Sequence, residues 1–144
     1  MNLREYLTKS KFKISYNDAL LIFMDVSTQM KSLEQQGKKV FSLSLDDIIK
    51  EAEGKWEIVD KKIFKKDSMN ITIGEKDFLS PELEGGNHTQ TSGRYSLASI
   101  VAYCLTGKRD IENKFEELES IRETKLYWAL KRIFNNRKRP LLLI

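Results

Sequence analysis

One cysteine and one histidine limit the chemistry open to this 144-residue chain. Cys104 lies inside the apolar run YSLASIVAYCL, a setting for a core thiol rather than a nucleophile. A single cysteine forms no internal disulfide, so a reducing, cytoplasmic compartment is expected. His88 has no other histidine and only one cysteine to join it, so no metal cluster and no metal or other cofactor is expected. The basic stretch at residues 61–66 sits between apolar segments and reads as a solvated loop. The net charge is +4, from 25 Lys and Arg against 21 Asp and Glu. These charges are spread along the chain, which is a usual soluble surface and a weak case for nucleic acid.

The elements that must position any site follow from hydrophobic spacing. Residues 3–7 suit a short helix. Ser15 has the position of an N-cap, with Asp18 three residues on, a variant of the capping box. Ala19, Ile22, Phe23, Val26, Met30 and Leu33 recur at helical spacing, and Gly37 ends that helix. Residues 40–49, VFSLSLDDII, are too irregular for a helix. EAEGKWEIVD then predicts a turn at Gly54 and a strand through Trp56, Ile58 and Val59, hence a small hairpin. ITIG at 71–74 suits another short strand, and NHTQTSG at 87–93 a polar loop.

The run YSLASIVAYCLTG, residues 95–107, predicts a helix buried on most sides and closed by Gly107. Its Leu97, Ile100, Val101 and Cys104 should pack inward. Asp110 can cap a helix that uses Ile111, Phe115 and Leu118. A last helix uses Ile121, Leu126, Trp128, Ala129, Ile133 and Phe134. The expected fold class is mainly α with a minor β hairpin, as one domain over residues 1–144. No run of eighteen apolar residues exists, so no membrane span is expected. MNLREYL is charged and lacks the apolar stretch of a signal peptide.

Four stretches, in order, resemble the C-terminal lobe of a protein kinase. YSLASIVAYCLTG is similar, without gaps, to the kinase pattern W-S-L-G-x-x-x-Y-E-L-L-T-G. FLSPEL at 78–83 resembles the A-P-E segment, and NNRKRP at 135–140 resembles D-P-x-x-R-P. VFSLSLDDII is similar in length and apolar pattern to H-R-D-L-K-P-E-N-I-L. MNLREYL and the helix over 15–36 then look like the helices that open the lobe and precede the catalytic loop. The resemblance implies a kinase C-lobe-like helical domain, and no G-x-G-x-x-G loop or V-A-I-K strand occurs in the chain to supply an N-lobe.

The same comparison implies which groups are missing. Val40 and Phe41 replace the His and Arg, and Ser44 replaces the Lys. Ser42 stands where a kinase has its catalytic Asp, and a hydroxyl cannot replace a carboxylate that accepts the substrate's proton. Asp47 stands at the metal-binding Asn. Asp60 falls at the D-F-G Asp, where a lone Asp could bind magnesium, but Lys61 and Lys62 replace Phe and Gly, which favours a surface ion-pair member. Gly93 replaces the Asp that in kinases holds the catalytic-loop backbone. Glu82 and Arg139 match the structural A-P-E to R-P ion pair, which the resemblance implies is buried and hydrogen-bonded.

The expected function is a catalytically inactive, pseudokinase module that binds a protein or peptide segment, similar to the KIND type of non-catalytic C-lobe. The surface left bare by the missing N-lobe is the expected place. A second reading is the C-lobe half of a split kinase completed in trans by a separate N-lobe. A third is a degraded kinase fragment.

Overall fold

A computed structural model describes residues 1–11, 14–40, 42–60, 63–65, 92–107, 118 and 121–138. Helix α1 spans Leu3–Lys9 and starts on Asn2, whose side chain accepts the Glu5 N–H at 2.9 Å. Helix α2 spans Tyr16–Gln35. As expected, Ser15 caps it, accepting the Asp18 N–H at 3.2 Å. Gly37 follows with φ 75°, the left-handed conformation that stops a helix at low cost.

Two short antiparallel pairs come next. Strand β1, Lys38–Lys39, pairs with β4, Phe64–Lys65, whereas β2, Ile48–Lys50, pairs with β3, Trp56–Ile58. The β2–β3 hairpin is the one expected around Gly54, although its second strand ends at Ile58 rather than Val59. Part of the stretch at 61–66 differs from expectation. Phe64–Lys65 is a strand and not a loop, because β1 offers it a backbone edge.

Helix α3, Ser92–Thr106, is the central element, with α2 and α4 (Lys125–Lys138) both packed on it. Every residue from Tyr95 to Cys104 is buried, including Leu97, Ile100, Val101 and Cys104 as expected. The helix starts three residues earlier than the apolar run, taking in Ser92 and Gly93. It ends before Gly107, at φ 74°. On α4, Leu126, Tyr127, Leu130 and Phe134 form the buried face. Trp128, expected in that face, is instead 52% exposed. It stands two residues from Leu126, which is about 200° around a helix of 3.6 residues per turn.

Side chains tie the small elements to the helical body. The outer N–H groups of β3 are met from α2: Trp56 N–H donates to Asp25 at 3.1 Å, and Ile58 N–H to Gln29 at 2.8 Å. The sheet edge is thereby covered rather than left open. Tyr6 O–H donates to Asp18 at 2.9 Å. That hydrogen bond, with burial second, raises the phenol above its ordinary range. The mainly α class with a minor hairpin is thus the observed architecture. The expected strand at 71–74, most of the polar loop at 87–93 and the cap at Asp110 lie outside the described residues.

Candidate functional site

The segment joining β1 to β2 carries Ser42, Ser44 and Asp47 from the kinase comparison, and it lies against the first turns of α3. Gly93 permits this approach. A Cβ at that position would sit 2.0 Å from the Val40 carbonyl oxygen and 2.9 Å from its carbon. Glycine is therefore a packing requirement here.

One helical turn on, Ser96 takes the anchoring role. The Leu43 N–H donates to the Ser96 hydroxyl at 2.8 Å, and that hydroxyl donates to the Leu43 carbonyl at 2.9 Å. All of this is buried. The buried helix thus holds the loop through Ser96 and not through position 93, where glycine has no side chain to offer. The sequence carried a signal for it, since a serine inside an apolar helix must find a partner when buried.

Ser42 is 2% exposed, one residue before this clamp. Ser44 and Asp47 enclose a short 3-10 turn, Leu45–Asp47. The Asp47 carboxylate turns back to accept from both the Ser44 N–H, at 2.7 Å, and the Ser44 hydroxyl, at 3.0 Å. The carboxylate thereby satisfies the Ser44 N–H at the start of the turn. Asp47 is 1% exposed. Its backbone carbonyl accepts the Val59 N–H at 2.9 Å, which sets the chain leading into Asp60 beside the loop. Asp60 itself is exposed, and its carbonyl accepts the Ile63 N–H at 3.0 Å.

The backbones around Asp47 and Asp60 are thus neighbours, but the side chains differ in setting. One carboxylate is buried on Ser44 and the other belongs to the surface. Among the described residues, no three His, Cys, Asp or Glu side chains gather as a metal site. On the hairpin, a hydrogen bond that the protonated Glu57 carboxyl donates to the Glu51 carboxylate raises the pKa of Glu57, with repulsion by that same carboxylate as the next cause. Glu82 and Arg139, with their expected ion pair, lie outside the described residues.

A second feature was not anticipated from sequence. Between α2 and the start of α4 lies an apolar groove of about 470 Å³. Tyr16, Leu20, Phe23 and Met24 form one wall, and Thr124, Lys125, Leu126 and Ala129 form the other. Leu20, Leu21 and Met24 lie off the α2 stripe that faces the core. Such surplus apolar positions were the readable sign of a second apolar face.

No protein-family model matches the chain, and no curated protein matches it either. Among the described residues, no helix is long and apolar enough to cross a membrane.

Proposed function

We propose that this chain is a non-catalytic, protein kinase C-lobe-like module whose role is to bind another protein. The observation that carries the reading is the closed hydrogen bonding of the loop. Ser42 is buried where phosphoryl transfer needs a carboxylate open to its substrate. Asp47 uses its carboxylate to hold Ser44, which suits a structural turn rather than a metal ligand. In a kinase, the catalytic-loop Asn and the D-F-G Asp hold shared magnesium ions and so must be adjacent. The contact between Asp47 and Val59 supports the kinase-like register of these two segments.

A binding role is supported by the apolar groove, since such a surface commonly marks an interaction site. The buried single cysteine accords with a reducing, cytoplasmic setting. Affinity capture of the full chain from its native cell, followed by mass spectrometry, tests the reading. One protein should be recovered in near-stoichiometric amount, unchanged by removal of nucleotide. Recovery of a chain bearing G-x-G-x-x-G and V-A-I-K, with phosphoryl transfer on mixing, would replace the reading with a split kinase.

A further inference from the structure

We propose that the groove between α2 and α4 takes an amphipathic helical segment of a partner protein with an acidic flank. This rests on the binding-module reading and names the partner's chemistry.

The groove's shape and composition suit an apolar helix face. Tyr16, Leu20 and Phe23 follow at i, i+4 and i+7, so they share one face of α2. A helix laid in such a groove presents its own anchors at the same spacing. Among the described residues the exposed large hydrophobics are Leu21 at 49%, Met24 at 54% and Trp128 at 52%, besides Met1. Of these, Met24 lines the groove itself, whereas Leu21 and Trp128 lie on the same two helices outside its lining.

Charge sets the sign of the partner. Helix α4 carries Lys125, Lys131, Arg132, Arg137 and Lys138, and no carboxylate. Lys125 and Ala129 line the groove, and Arg132, three residues beyond Ala129, extends the same face as an exposed cation. Lys131 lies over the Tyr127 and Trp128 rings, while among the described residues no α2 carboxylate pairs with Lys125 or Arg132. Asp18 accepts from Tyr6, Asp25 accepts from Trp56, and Glu34 pairs with Arg94 at 2.9 Å.

Lys125 is also placed against the helix's own interest. It stands in the first turn, where the helix dipole favours a negative group, and that turn contains no acid. A local conflict of this kind is expected where function overrides folding. An acidic side chain on a docked helix would resolve it.

The test uses the full chain and a displayed library of random peptides on an amphipathic helical frame. Enriched peptides should carry Leu, Phe or Trp at helical spacing with Glu or Asp on the flank. Met24→Glu should weaken their binding about tenfold or more. Lys125→Glu should weaken it similarly and shift enrichment toward basic flanks. Both positions are exposed, so unchanged thermal melting of each variant confirms that folding is intact.

Enrichment of basic or uncharged peptides, or of peptides indifferent to both substitutions, would overturn the proposal. So would a stable dimer dissociated by Met24→Glu, which would give the groove to a second copy. Peptides that bind but ignore both substitutions would leave the binding-module reading standing and remove only this site. Failure to enrich any peptide over background would count against both, and native-cell capture then separates them: a recovered partner that ignores both substitutions spares the module reading alone.

Discussion

Gly93→Ala should destabilise the protein by about 3 kcal/mol, at the upper end of what overpacking costs. The opposing expectation is clear, which makes the sign informative. In a helix, alanine is favoured over glycine by up to about 1 kcal/mol, so propensity alone calls for a gain. The added Cβ would lie 2.0 Å from the Val40 carbonyl oxygen. That oxygen is backbone and cannot swing aside as a side-chain tip can. Either α3 must withdraw from the loop or the loop must leave α3, and the Ser96 clamp is lost in both cases. Gly93→Asp adds a buried charge to the same clash and should lose more. Denaturant midpoints measured in parallel decide the matter. An alanine variant as stable as the parent would show that helix and loop do not approach this closely.

Ser96→Ala should cost about 1–3 kcal/mol for each backbone group it strands. The lost hydroxyl serves both the N–H and the carbonyl of Leu43, within a fully buried setting. Alanine fits the space, so the loss reports hydrogen bonding rather than packing. Ser96→Cys keeps a weak donor and acceptor and should fall between the two. Amide exchange at Leu43 should quicken in the alanine variant. Unchanged protection there would mean that the loop does not depend on α3.

Helices were the legible part of this fold, because their signals are local. Ser15, the apolar stripe from Ala19 to Leu33 and Gly37 specify α2 by cap, period and stop. Gly107 did the same for α3. The β1–β4 pair was hidden, since each strand has two residues and their pairing depends on a contact between distant segments. Trp128 was misplaced because a large apolar residue was assigned to the core by type, whereas its angle on α4 turns it outward.

The site was half legible. The kinase resemblance drew attention to Ser42, Asp47 and Asp60, and the structure joins the backbones of Asp47 and Val59. It did not show that Asp47 folds back on Ser44, because that depends on a turn three residues long. At Gly93 the sequence records an absent side chain but not the Val40 carbonyl oxygen that excludes one. The groove needed α4 beside α2, a packing that no local pattern specifies.

The central claim is that the loop from Val40 to Asp47 is a structural element and not a nucleotide site. A thermal-shift titration of the full chain with Mg-ATP tests this most directly. The account predicts an unchanged melting temperature at every nucleotide concentration. A rise equivalent to about 1.4 kcal/mol, the stabilisation given by ATP at tenfold its Kd, would contradict it.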